Sequence, residues 1–347
     1  MIVEELRRAE PKDGTSWREA DGLNYVRAED IASILASSRG QIIDVVAETY
    51  DAFYHQEAIN PDTYSLRFPQ KANSRINALP SYIGRDIDLA GLKWVASFPD
   101  NVARNRQRAS ALIVVNSFET GYPLAVLDGT AISSARTVAS AALAARRLVP
   151  SRETDELTFY GAGVINRDLL AYLQADGWRF DHVTICDPVS ASAEAFSQHC
   201  TLRGMSAQIG EAPRRCDSGL MAFATSALEP WYDHPFHADQ TVLHMSLRDV
   251  VPERLKAPVF NVVDDVNHAL KANTSLHLLQ QMQGHVENVA NFAAIAPGAR
   301  RPEGPVVVSA FGMGILDLAV AHFVLNAAQD RGTLCRIDGL LPEFSRW

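Results

Sequence analysis

From Glu29 onward, apolar residues recur at helical spacing. Ile31, Ile34 and Leu35 mark one face, and Ile42, Ile43, Val46 and Ala47 mark another, with Arg39-Gly40 as the break between them. Glu29 and Asp30 stand where a first helical turn favours negative charge. The period then changes. Residues 64–68, 75–79, 91–97, 111–115 and 123–127 read as strands, and Thr120-Gly-Tyr-Pro123 supplies a turn between the last two. This predicts a mostly antiparallel sheet beside N-terminal helices. Residues 1–28 have few periodic apolar positions and predict an irregular arm. Residues 131–148 are rich in alanine and predict a helix leading into a second region.

That region alternates strand and helix. A short apolar strand, Glu156-Leu-Thr-Phe-Tyr160, meets Gly161-Ala-Gly-Val-Ile-Asn166 and then a helix over 164–176. A second strand, 182–186, ends on Asp187. Further helical pattern covers 191–202, and near-continuous apolar runs at 219–225, 241–246, 259–263 and 306–309 are what a parallel sheet covered on both faces requires. A closing helix spans 312–328. The expected fold class is α/β, with a boundary near residue 135.

The glycine-rich turn carries the first chemical signal. Gly161 permits a sharp turn after the strand. Gly163 lacks a Cβ and lets the backbone approach a pyrophosphate. The following helix start, with Ala162, Val164 and Ile165, offers N–H groups and a positive dipole end. Asp187 suits the ribose hydroxyls and repels a 2′-phosphate, which favours NAD over NADP. Asn166 occupies the third glycine position and is a departure. A strand before, a helix after and an acid at the end of the next strand support the dinucleotide reading over an ordinary tight turn.

Composition narrows the class. The 347 residues exceed one small core and suit two domains; 47% are hydrophobic and 21% charged, as in ordinary globular proteins. No apolar run reaches membrane-spanning length, and Met1-Ile-Val-Glu-Glu-Leu-Arg-Arg lacks the apolar core of a signal peptide. Cys186, Cys200, Cys216 and Cys335 are scattered and read as reduced thiols of a cytoplasmic protein. A net charge of −9 argues against nucleic acid as a partner. One island runs against that charge: Arg67, Lys71, Arg75, Arg85, Lys93, Arg104, Arg106 and Arg108 face only Asp86, Asp88 and Asp100 in sequence. It reads equally as an anion site or a solvated face.

Other residues are candidates by type and place. Lys93, among apolar strand residues, is either a base or carboxylate binder, or an outward-facing strand lysine. Arg136 and Thr137 lie in a helix of small residues; on the residues alone, a solvated arginine is the stronger reading. Asp249 follows a buried-type strand and is either a general base or a loop carboxylate. Thr225, Ser226 and Ser246, at strand ends, suit a nicotinamide or ribose, or serve as cap residues. His234-Pro-Phe-His237 lacks a third ligand, so no metal is expected.

Several stretches together resemble the ornithine cyclodeaminase/μ-crystallin family: Gly91-Leu-Lys-Trp-Val-Ala-Ser-Phe-Pro-Asp-Asn101, Glu119-Thr-Gly-Tyr-Pro123, Ser134-Ala-Arg-Thr-Val-Ala-Ser140 and Gly161-Ala-Gly-Val-Ile-Asn166. The resemblance implies a Rossmann-type NAD domain over 136–314 and an α+β antiparallel-sheet dimerisation/substrate domain over 1–135 and 315–347. It implies a homodimer. Lys93 becomes the active-site lysine, Asp249 the catalytic aspartate, and Arg136, with Arg67, a substrate-carboxylate arginine. Gly312 and Met313 join the cofactor contacts.

The family's cyclodeaminases carry a G-G-D-C-P-G-K-T-E-L block where this chain has Ser246-Leu-Arg-Asp-Val-Val-Pro-Glu-Arg-Leu255. Leu66-Arg-Phe-Pro69, Ala78-Leu-Pro-Ser-Tyr-Ile-Gly84, Asn261-Val-Val-Asp-Asp265 and Phe311-Gly-Met-Gly-Ile-Leu-Asp317 resemble instead the branch that makes 2,3-diaminopropionate for siderophores and peptide antibiotics. That branch oxidises N-(1-amino-1-carboxy-2-ethyl)-glutamate with NAD. Its substrate, an amino acid with several carboxylates, suits the basic island. Ornithine or lysine cyclisation, imine reduction and non-enzymatic NAD(P)H binding are the alternatives.

Overall fold

A computed structural model of the protein describes residues 16–18, 22–211, 218–271 and 273–340. Residues 1–15, including the N-terminal segment read above for a signal peptide, and Cys216 lie outside the described residues. The chain divides into one unit of Met1–Arg136 with Met313–Trp347, and a second of Thr137–Gly312.

The first unit opens with β1 (Leu23–Val26), α1 (Ala28–Ser37) and α2 (Arg39–Tyr54). The break between the helices is Ser38, one residue earlier than the pattern predicts, and Arg39 and Gly40 lie inside α2. Strands β2 (Ala58–Ile59), β3 (Tyr64–Phe68), β4 (Lys71–Ile83), β5 (Leu89–Ser97), β6 (Ala109–Ser117) and β7 (Pro123–Asp128) follow, and then α3 (Gly129–Leu148). Pro80 sits inside β4 where neither short neighbour pairs: β3 reaches Ala78, and β2 pairs with Tyr82 and Ile83. A residue without an N–H fits such a gap.

The second unit contains β8 (Glu153–Tyr160), α4 (Val164–Ala175), β9 (Arg179–Cys186), α5 (Ser190–Thr201), β10 (Ser206–Gly210), β11 (Leu220–Phe223), β12 (Thr241–His244), β13 (Phe260–Val263), α6 (Val266–Ala269), α7 (Ser275–Gln283), β14 (Val289–Asn291) and β15 (Val306–Val308). Its sheet order is β10-β9-β8-β11-β12-β15-β13-β14, parallel at every pairing. The strand order reverses between β8 and β11, the switch point where doubly wound sheets bind ligands. β11, β12 and β15 are buried along their whole length, which is why they read as unbroken apolar runs.

The chain returns to the first unit with α8 (Gly314–Asp330) and β16 (Leu334–Ile337). The first sheet runs β16-β1-β7-β6-β5-β4-β2, with β3 also on β4. It is antiparallel except where β1 pairs with β7. The expectation of an irregular arm is therefore corrected at Leu23–Val26. Four residues are too few to show alternation, and what holds β1 is its pairing on both sides and buried Asn24, whose amide donates to Trp17 O and Leu124 O at 2.9 Å each. α8 is apolar over most of its surface, with His322, Asn326 and Gln329 along one stripe, and packs against α1, α2, β4 and β5. Each of its fully buried Leu, Ile and Val side chains contributes roughly 1.5–3 kcal/mol.

Candidate functional site

The candidate residues fall into two groups, one in each unit. In the first unit, β5 presents alternate residues to its two faces. Lys93 lies in the inward row, with Leu79 and Ile113 directly opposite on β4 and β6, both buried. It is therefore not an outward-facing strand lysine. Its side chain is 3% exposed, and Nζ meets Asp317 Oδ2 of α8 at 2.5 Å and Ser133 Oγ of α3 at 3.2 Å.

Arg136, one turn beyond Ser133 on α3, completes the group. Its Nε donates to Asp317 Oδ1 at 3.4 Å and Nη2 to Ser133 Oγ at 3.3 Å. The arginine is half-buried in a polar cluster, so the solvated reading does not hold. One carboxylate thus faces two cations. Burial pushes the Lys93 amine down to about 8; Asp317 opposes that shift and the Arg136 guanidinium adds to it. A lysine in that range exchanges protons near neutral pH.

Close approach makes this meeting possible. A Cβ on Gly91 of β5 would lie 2.8 Å from Leu318 Cδ1, and one on Gly314 would lie 3.0 Å from Leu79 O of β4. These glycines seat α8 directly on the sheet. Gly129 does the same for α3, against Ala111 and Ile113 of β6.

Arg67 is not part of this cluster. It is exposed on β3, opposite Arg75, in the row that contains Ser97. Ser97 lies four residues beyond Lys93 on the same face of β5, roughly 13 Å away. Arg108 donates to Ser97 Oγ there at 3.0 Å. The basic island is thus dispersed: Arg85 is tied to Asp51 and Glu57, and Lys71 sits over the Phe98 ring.

In the second unit the turn after β8 has the form its glycines imply. Gly161 has φ +94°, and a Cβ there would lie 2.4 Å from Ala224 O, in the segment after β11. A Cβ on Gly163 would meet nothing within 4 Å, and no side chain caps α4, which begins at exposed Val164. Ile165 is half-buried beside it. Buried Asn166 ties the turn to α4, because its Nδ2 donates to Tyr160 O at 2.9 Å and to Gly161 O at 2.7 Å. Asp187 closes the turn from the end of β9, accepting from Ala162 N at 2.7 Å and Val189 N at 2.8 Å.

Asp249 is completely buried. Thr225 and Ser246 donate their hydroxyls to it, and Trp231 Nε1 donates at 3.1 Å. Asp249 N donates to His244 Nε2 at 3.2 Å, and the other ring nitrogen of His244 lies 3.2 Å from Ser309 Oγ. A proton on Nε2 instead faces the carboxylate, 3.3 Å away. Burial pushes the Asp249 carboxyl up, but the bonds from His244, Ser246 and Thr225 outweigh it and hold it at about 2. Thr225 and Ser246 are thus carboxylate donors here, whereas Ser226 is exposed. Thr137, next to Arg136, begins this unit, and Met313, fully buried, begins the return segment of the other.

Several residues of these arrangements were not among the sequence candidates, Ser133 and Trp231 included. Asp317 is an acid in a helix half, residues 314–321, that is otherwise apolar, which was the available signal. His244 is a histidine at the end of a fully buried strand. Asp264, also buried, accepts from Phe311 N at 3.1 Å and from Gly312 N, fixing the loop that carries Gly312. Among the described residues, no three His, Cys, Asp or Glu side chains gather to hold a metal. None of the helices among them is long and apolar enough to cross a membrane.

The chain is 26% identical over 329 residues to N-((2S)-2-amino-2-carboxyethyl)-L-glutamate dehydrogenase of Staphylococcus aureus (strain NCTC 8325 / PS 47), covering 88% of this chain and 96% of that protein. Thermococcus litoralis Delta(1)-pyrroline-2-carboxylate reductase, solved with NADH and L-proline, matches with a TM-score of 0.80 at 20% identity, over 91% of this chain and 100% of that one. An archaeal alanine dehydrogenase dimer with bound NAD matches with a TM-score of 0.78 at 23% identity, over 93% and 99%. The two structural matches establish the α/β fold class. The sequence profile of the ornithine cyclodeaminase/mu-crystallin family matches residues 26–216, more than half of the 347, and the chain belongs to that family.

Proposed function

We propose that the protein is an NAD-dependent oxidoreductase acting on a C–N bond of an N-substituted amino acid, with N-(1-amino-1-carboxy-2-ethyl)-glutamate as substrate. The observation that carries the reading is the buried lysine of the first unit, held between Asp317 and Ser133 beside Arg136. Such a group suits a carboxylate-bearing amine and a proton transfer. The Staphylococcus aureus relative is named for that substrate class. The residues of the second unit fit NAD: the space at Gly163 and the uncapped start of α4 suit a pyrophosphate, and Asp187 is a fixed acid beyond β9.

When bound, NAD supplies the acceptor for the hydride that leaves the glutamate Cα. Arg136 holds a substrate carboxylate through paired hydrogen bonds and stays charged throughout. Lys93, neutral above about 8, takes a proton from the substrate nitrogen, so that loss of hydride gives an imine. Asp249, ionised throughout, stabilises the positive charge on that imine. Lys93 releases that proton to solvent, then takes one from the water that adds to the imine carbon and returns it to the amine nitrogen; the C–N bond breaks as the new hydroxyl loses its proton to form the ketone. One water is consumed, and 2,3-diaminopropionate, 2-oxoglutarate and a reduced cofactor result.

The test is direct. Purified protein with this substrate and NAD should produce NADH and 2-oxoglutarate in equal amounts, with NADP a poor substitute because Asp187 repels its 2′-phosphate. Turnover of alanine, proline or ornithine but not of the N-substituted glutamate would instead favour an alanine dehydrogenase, imine reductase or cyclodeaminase. Equal rates with NADP would remove the role given to Asp187.

A homodimer belongs to the same proposal. The outer face of the first sheet carries a cross-strand row of Tyr64, Ala78, Trp94 and Leu112, with Tyr64, Trp94 and Leu112 exposed at 70%, 43% and 52%. On β6 and β7, by contrast, Ala111, Ile113, Val115, Ala125 and Leu127 point inward and are buried. A contiguous apolar row of this kind marks an interaction surface. Light scattering at micromolar concentration should give twice the chain mass of 38.0 kDa; the monomer mass would count against the dimer.

A further inference from the structure

We propose that Asp317 is a positioning residue for this reaction: its single carboxylate holds the Lys93 ammonium and the Arg136 guanidinium in one preset geometry, so that the substrate's nitrogen and carboxylate are fixed relative to each other. The inference rests on the functional reading above and deepens it. Asp317 is 1% exposed, and each of its oxygens is used: Oδ2 by Lys93 at 2.5 Å and Oδ1 by Arg136 at 3.4 Å.

The surrounding fold is arranged for that bridge. Asp317 is the fourth residue of α8, in its first turn, where the helix dipole favours an anion. Two close approaches at glycine seat α8 on the sheet: Gly314 against Leu79 O of β4, and Gly91 of β5 beneath Leu318. Leu79 and Lys93 are directly opposite each other across β4 and β5, so seating Gly314 on Leu79 delivers Asp317 to Lys93 one turn later. An ion pair serving only to hold the fold gains little here. Replacing a buried pair by apolar residues is often neutral or stabilising. Its value lies in geometry, because misplacing a reacting group by about 1 Å costs up to ~100-fold in rate.

Electrostatics gives a readout that packing does not. The charged groups facing Lys93 are Asp317 of α8 and Arg136 of α3, with the Ser133 hydroxyl between them. Asp317 raises the proton affinity of Lys93 against burial and Arg136. Removing that carboxylate must therefore move the titration of Lys93 to lower pH.

The experiment uses Asp317→Asn and Asp317→Glu in the full chain, each checked for folding by thermal unfolding. The chain has five lysines, so Cε resonances of lysine-labelled protein can be assigned with Lys93→Met as reference. In Asp317→Asn, the Lys93 titration and the limb of kcat/KM should move together below the wild-type midpoint, and kcat should fall about 10- to 100-fold. A Lys93 midpoint unchanged in Asp317→Asn overturns the proposal. Asp317→Glu keeps the charge but shifts it by one methylene; kcat should fall about ten-fold with the Lys93 midpoint near wild type. If Asp317→Asn fails to fold, Asp317→Glu decides, and wild-type kcat in that variant overturns the proposal. The NMR titration needs no substrate, so it stands apart from the functional reading, which fails instead if wild-type protein makes no NADH.

Discussion

Lys93→Met should lower NADH production by ~100- to 10,000-fold while leaving NAD binding within a few-fold of wild type. Methionine keeps most of the buried volume of the lysine stem and supplies no proton acceptor. Asp317 is not left alone by the change, because Arg136 still faces it, so the variant should fold. The pH dependence sharpens the expectation. Lys93 acts in its neutral form, and that form grows as pH rises through about 8, so wild-type kcat/KM should climb through that region to a plateau. The residual activity of Lys93→Met should show no such limb. Purified wild type and variant assayed at substrate well below KM across pH 6 to 10, roughly the range that brackets the lysine, provide the measurement. Turnover near wild type, or an unchanged limb, would move the proton-transfer role away from Lys93.

What the sequence made legible divides along physical lines. Local patterns carried far. The turn at Gly161, the helix behind it and the acid at Asp187 are consecutive in the chain, and each has a local cause in backbone freedom, helix dipole or strand period. The buried parallel strands were visible because burial on both faces leaves an apolar run. Residues whose meaning depends on distant partners were harder. Lys93 was ambiguous because the face of a strand is settled by its neighbours, and Leu79 and Ile113 identify that face only once the register is known. Asp317 lies 224 residues from Lys93, and nothing local links them.

The misses follow the same rule. β1, β10 and β16 span only four, five and four residues, too short for a periodic signal. β10 is also largely exposed at the end of its sheet, so it lacks the apolar run of its neighbours. The basic island was real in sequence, but folding sends its members to different surroundings. Arg85 pairs with acids of α2 and the segment after it, Lys93 turns inward, and Arg67 stays exposed on β3. Linear charge density carries no information on that division. Asn166, a departure from the glycine pattern, proves to be a staple for the turn, drawing its amide to two successive carbonyls.

Asp249→Asn should lower turnover by ~100- to 1,000-fold at every pH, with no displacement of the limb near 8. The reason is the number of donors around the carboxylate. Thr225, Ser246 and Trp231 all point hydrogens at it, and His244 lies beside it. A carboxyl held at about 2 is a poor proton acceptor at neutral pH, but it is a permanent, oriented negative charge. That charge suits the positive imine, and oriented charges of this kind account for losses of that size when removed. Asparagine keeps the shape and one acceptor oxygen, yet its amide hydrogens meet the hydroxyls and the indole N–H that formerly donated. The site should therefore loosen locally while the Gly161 turn, held separately by Asn166 and Asp187, still binds NAD. Two assays decide the matter: cofactor titration by tryptophan fluorescence, and a pH profile of kcat/KM beside wild type. A uniform drop across the profile identifies an electrostatic role. Loss of an acidic limb in the variant would make Asp249 a titrating base, and NADH production within about two-fold of wild type would separate it from the chemistry altogether.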